Sequence, residues 1–125
     1  MITEKDLTPA QRRCFNEETD EDWKEDILSA LNRKPIVKQF KSGRTLEARY
    51  GYDDGYLEIN AVLTDQDGKK LWKGTYHPIG DLMLSGEERA SIIIDYVIEA
   101  IWTDMTDMDD EWHEQRAFGL LKRLL

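Results

Sequence analysis

A chain of 125 residues, 40% hydrophobic and 34% charged, has the composition of one globular domain, and residues 1–125 read as a single unit. Its 26 acidic residues against 17 basic ones leave a formal charge of −9. That balance argues against a nonspecific binder of nucleic acid or anionic membrane, because both need a basic surface.

Thr8 and Pro9 read as N-cap and first position of a short helix over Ala10 to Asn16. A second helix is expected from Thr19, with Asp20, Glu21 and Asp22 in the first turn, where the helix dipole favours negative charge. Trp23, Ile27, Ala30 and Leu31 form its apolar stripe, and Lys34-Pro35 is expected to end it. The middle third changes period. Ile36 to Phe40 is a first strand. Leu46, Ala48, Tyr50 and Tyr52 alternate with polar or small residues, and Leu57, Ile59, Ala61 and Leu63 do the same after the turn signal Asp53-Asp54-Gly55. After Asp65-Gln66-Asp67-Gly68, Lys69 to Tyr76 makes a further strand with Trp72, Gly74 and Tyr76 on one face. Such short connections imply an antiparallel meander.

Helical spacing then returns. Ser85 and Glu88 have the form of a capping box, and Ala90, Ile93, Ile94, Val97, Ile98, Ile101 and Met105 share a face. Ile92, Tyr96, Ala100 and Trp102 widen that face, which predicts a central helix packed on the sheet. A last helix is expected from about Asp109 to Leu124, with Trp112, Ala117, Leu120, Leu121 and Leu124 inward. The predicted fold class is α+β: a three- or four-stranded antiparallel meander flanked by an N-terminal helix and two C-terminal helices, the first of them the core helix.

The charge is uneven. Residues 1–34 carry −3, residues 35–80 carry +1 and residues 81–125 carry −7. Six of the twelve residues from Thr103 to Glu114 are acids, with no Lys or Arg among them. On a continuous helix Asp104, Asp107, Glu111 and Glu114 would line one ridge, at about 5–6 Å from neighbour to neighbour. Met108 and Trp112 would flank it as adaptable anchors, with Asp110 close by. That ridge is the first expected partner-binding site, and its plain alternative is a solvated helix junction. The aromatic set Tyr50, Tyr52, Tyr56, Trp72 and Tyr76 is the second. Exposed on one face, with Arg49, Lys70 and Lys73 as a basic rim, it would suit protein recognition; otherwise it is sheet core.

Specific catalytic motifs are missing. There is no phosphate loop, dinucleotide fingerprint or nucleophile elbow. His113-Glu114 opens a zincin-like pattern, but Ala117 stands where the second His belongs. Asp65-x-Asp67-Gly68 partly matches a calcium loop and reads as a turn. Cys14, the one cysteine, permits no intramolecular disulfide. Neither a signal peptide nor a spanning segment is visible, so a cytoplasmic protein without metal or cofactor is expected. The leading expectation is a non-enzymatic binding protein that inhibits or masks a partner with a basic surface. Immunity proteins, phage-type inhibitors of host defence and nucleic-acid mimics are such proteins, and a nucleic-acid-binding protein is one such partner. Direct contact with nucleic acid or membrane is not expected, and monomer and dimer both remain open. An acidic escort or adaptor of secretion-chaperone type is the alternative. A carboxylate enzyme is the third reading, with Asp95 and Glu99 at i and i+4 as its acids or His77 as a general base.

Overall fold

A computed structural model describes residues 1–17, 19–53, 56–77, 87–106 and 111–125, with Tyr56 and residues 111–114 described through their backbone alone. A 3-10 turn, Glu4–Asp6, precedes helices α1, Pro9–Glu17, and α2, Glu21–Leu31. Strands β1 (Ile36–Gln39), β2 (Thr45–Asp53), β3 (Tyr56–Thr64) and β4 (Lys70–Tyr76) follow, then helices α3 (Glu87–Thr106) and α4 (Glu111–Leu124). The strands pair antiparallel in sequence order, so the chain forms the expected α+β arrangement with four strands in its meander.

Local chemistry sets the helix ends. Gln11 N–H donates to Thr8 Oγ1 at 3.2 Å and Thr8 N–H to Gln11 Oε1 at 2.9 Å, a reciprocal cap that starts α1 at Pro9. Helix α2 begins two residues later than expected, at Glu21 behind Asp20. It also ends earlier, at Leu31, because Asn32 caps it. The Asn32 amide donates to Leu28 O and Ile2 O, both at 2.8 Å, and accepts from Ile2 N–H at 2.6 Å. One side chain thus closes a helix and anchors the N-terminal segment, leaving Pro35 in the connection. In the Asp65–Gly68 turn, Asp65 Oδ1 accepts from Asp67 N–H at 2.9 Å and Lys69 N–H at 2.8 Å, while Gly68 takes φ +82°. Ser85 and the Asp54-Gly55 turn signal lie outside the described residues.

The alternation in β2 and β3 lands on one sheet face. Leu46 pairs with Leu63, Ala48 with Ala61, Tyr50 with Ile59 and Tyr52 with Leu57. In β4, Trp72 lies opposite Leu63, Gly74 opposite Ala61 and Tyr76 opposite Ile59, on that same face. A register shift at Leu63/Thr64 places both Leu71 and Trp72 against the core, as a bulge does.

Two clusters cover this face. Leu7, Phe15, Ile27 and Ala30 pack on Tyr52 and Leu57, and Gln11 Nε2 ties α1 to Tyr52 O at 2.6 Å. Ile93, Ile94, Val97, Ile101 and Leu121 pack on Leu46, Ala48, Ile59, Ala61 and Leu63, which makes α3 the core helix its pattern predicts. Tyr50 touches both clusters. Full burial of each aliphatic side chain contributes about 1.5–3 kcal/mol. Three helical expectations are corrected. Trp23, Ile92 and Leu120 are exposed, because the buried stripe of α2 narrows to Ile27 and Ala30, that of α3 to Ile93, Ile94, Val97 and Ile101, and that of α4, among its described side chains, to Ala117 and Leu121.

Candidate functional site

The groove that concentrates chemistry lies between β4 and α3. Tyr96, Glu99, Ala100, Thr103 and Asp104 recur at i, i+3, i+4, i+7 and i+8, one stripe of α3. Opposite them stands Tyr76, and the open groove between them has a volume of about 320 Å³. Trp72 and Tyr76 point from the same face of β4 and stack with ring centroids 6.0 Å apart and planes 14° from parallel. Gly74 between them makes that stack possible. A Cβ there would come within 2.5 Å of the Tyr76 hydroxyl and 2.7 Å of the Trp72 ring. Gly74→Ala is therefore expected to push the rings apart while leaving the strand pairing intact. Nuclear Overhauser contacts between Trp72 and Tyr76 are the check, and their survival would show that the stack tolerates a side chain at position 74.

Asp104 joins helix to strand. Its Oδ2 accepts the Tyr76 hydroxyl at 2.9 Å and the Trp72 indole N–H at a longer 3.3 Å. Tyr96 meets Tyr76 edge-on at 5.9 Å and 89°, and its hydroxyl approaches His77 O at 3.5 Å. Thr103 donates to Glu99 O at 3.0 Å. Burial, followed by the hydrogen bond to Asp104 and the charge of that carboxylate, raises the Tyr76 phenol far above its ordinary value of 10. The unfolded chain then loses this proton first. Tyr76 contributes stability that is complete below pH 10 and is lost as pH rises towards its folded value. An ultraviolet difference titration should show Tyr76 ionising late, and Tyr76→Phe should remove that phase and flatten the alkaline loss of stability.

The two expected sites are rearranged. The continuous helix on which Asp104, Asp107, Glu111 and Glu114 would line one ridge is not formed. Helix α3 ends at Thr106, α4 starts at Glu111, and Trp102 meets Phe118 edge-on at 5.3 Å. Sixteen residues of continuous helix would separate those rings by about 24 Å, so α4 folds back on α3. The physical reason is burial: Ile101 and Leu121 share one core cluster only when the helices pack side by side. Asp107, Met108 and Asp110 lie outside the described residues, and the side chains of Glu111, Trp112 and Glu114 are likewise undescribed.

Four of the five aromatics, Tyr50, Tyr52, Trp72 and Tyr76, share a face, but it is the helix-covered one, and Tyr56 is out of step with the covered row of β3. Tyr52 is buried against Phe15, and Tyr50 is half-buried under Arg33, 5.8 Å from its ring. Burial raises the Tyr50 phenol, with Arg33 opposing. Tyr56 is placed by its backbone alone, in register with Asp53. Trp72 and Tyr76 remain half-exposed because β4 is an edge strand. Arg49 and Lys73 cannot rim them, since both project from the opposite face, where Arg49 pairs with Glu47 at 2.6 Å. Lys70 is exposed at the start of β4. Of the acids with catalytic spacing, Glu99 lines the groove and Asp95 does not, while His77 is exposed beyond β4. Cys14 is half-buried.

The groove is hidden in the sequence, although Trp-x-Gly-x-Tyr on one strand face and Tyr96, Ala100 and Asp104 four residues apart are its signals. Among the described residues, no three His, Cys, Asp or Glu side chains gather as metal ligands, and no helix is long and apolar enough to cross a membrane. Comparison with family models, with curated proteins and with solved structures finds no match for this chain.

Proposed function

We propose that this chain is a small, acidic, non-enzymatic binding protein that masks or inhibits a partner with a basic surface, acting in the cytoplasm. One observation carries the reading: the acidic end of α3 and the aromatic edge of the sheet meet in a single groove, joined through Asp104. Aromatic rings supply rigid contact area at low entropic cost. Carboxylates beside them steer a cationic partner and reject an anionic one. The charge distribution points the same way, since residues 81–125 carry −7 and residues 35–80 are near neutral.

The test compares the wild-type chain with the near-isosteric pair E99Q/D104N. Both are used to capture partners from a lysate of the source cells at low and high salt. Capture by the wild type should weaken as salt rises, and the pair should bind about tenfold more weakly at low salt. Capture indifferent to both changes would sink the reading. Equal thermal stability of the two chains is the control for folding.

A further inference from the structure

We propose that the groove between β4 and α3 receives the guanidinium group of an arginine side chain presented by a protein partner. This rests on the preceding reading for the partner's being a protein, and it names what the groove selects.

Among the described residues, the hydrogen-bonding inventory of the groove is one-sided. The donors are engaged within the protein: the Tyr76 hydroxyl and the Trp72 indole N–H on Asp104 Oδ2, the Thr103 hydroxyl on Glu99 O, and the Tyr96 hydroxyl towards His77 O. Both aromatic donors fall on one oxygen of Asp104, so its Oδ1 has no donor among the described residues. The Glu99 carboxylate has none either, and no described Lys or Arg forms an ion pair with either acid. What the groove offers is acceptors with negative charge, beside the stacked and edge-on rings of Trp72, Tyr76 and Tyr96. These acids are exposed and hydrated, so an anion would be repelled by them and a neutral acceptor would gain no donor from them. A cation rich in N–H donors complements them.

Two features favour guanidinium over ammonium. The cation is flat, so it stacks on a ring face while its edge presents parallel N–H groups to a carboxylate. It is also more weakly hydrated than an ammonium, so it enters a site lined by Ala100 and aromatic carbon at lower cost. The volume of about 320 Å³ lies at the small end of ligand sites, which fits one side chain rather than a folded segment.

The experiment titrates the isotope-labelled full chain with three capped tripeptides, Gly-Arg-Gly, Gly-Lys-Gly and Gly-citrulline-Gly. It follows the Trp72 indole N–H, which reports on Asp104 directly. The arginine peptide should shift this resonance saturably. Citrulline, the same shape without the charge, and lysine should each bind at least about tenfold more weakly. E99Q/D104N should reduce arginine binding by about tenfold or more. Tyr76→Leu, which keeps apolar bulk and loses the ring face, should reduce it several-fold. An unmoved indole N–H, or equal binding of citrulline, overturns the proposal, and equal binding of lysine overturns the preference for guanidinium. Failure of the arginine peptide alongside salt-sensitive capture of a basic partner discards the site and keeps the broader reading. Saturable arginine binding alongside salt-indifferent capture does the reverse.

Discussion

Leu63→Ala is expected to lower stability by about 3–5 kcal/mol, the upper part of the range for removing a large buried aliphatic side chain. Leu63 has no exposed surface, and it lies in β3 between Leu46 on one neighbouring strand and Trp72 on the other. Above it the core cluster brings in Ile93, Val97 and Ile101 from α3. A sheet clamped by a helix cannot close on the vacated space, so most of the cavity cost persists. Whole-domain stabilities run about 5–15 kcal/mol, so the variant stays folded with little margin. Urea unfolding should show a lower midpoint at an unchanged slope, and melting should drop by about 10 °C or more. Because Leu63 backs Trp72, the indole N–H of Trp72 should also move. A loss below about 1 kcal/mol would show that α3 does not pack on β3 as described.

Phe15→Ala should cost a similar amount, about 3–5 kcal/mol, with a different footprint. Phe15 is buried in the N-terminal cluster, edge-on to Tyr52 at 6.2 Å and 88°, with Lys24 Nζ 5.6 Å from its ring centroid. Its neighbours Leu7, Ile27, Ala30 and Leu57 belong to that cluster and not to the one beneath the groove. Native Phe15→Ala protein should therefore keep the late ionisation of Tyr76 and the wild-type indole N–H of Trp72. Because two such losses together would exhaust the stability, the milder pair L63V/F15L tests the separation. Residues without shared partners add within about 0.5 kcal/mol, and Tyr50 is the side chain that touches both clusters. Additivity that appears only after Tyr50→Leu would identify Tyr50 as the coupling between the clusters. Stability loss that also abolishes the Tyr76 signature in F15A would contradict the separation.

The groove owes its character to residues that do little alone. Asp104 is an ordinary exposed acid until α3 lies along β4, where it accepts from two rings 28 and 32 residues away in sequence. Gly74 reads as a weak point in a strand until its missing side chain is seen to admit two rings. Glu99 pairs with Asp95 by helical spacing, yet its position groups it with Tyr96, Thr103 and Asp104 instead.

Periodicity determined the order and type of the elements. Alternation in Leu46–Tyr52 and Leu57–Leu63 and the helical spacing of Ile93, Ile94, Val97 and Ile101 are local properties of the chain. Each is set by the need of one face to leave water, which is why the α+β order and the buried rows are legible in the residues themselves. What periodicity does not carry is the side on which a half-buried row meets its cover, or the angle between successive helices. The return of α4 against α3 is decided by Ile101 and Leu121 sharing a core, and it rules out the continuous helix that the acidic ridge needs. The covering of one sheet face by helices α1 to α4 turns Tyr50 and Tyr52 inward and leaves Trp72 and Tyr76, on the edge strand, within reach of Asp104. The excess of negative charge is a property of composition. Its placement beside aromatic rings is a property of packing, because contacts across about thirty residues form only when burial elsewhere has already fixed both elements.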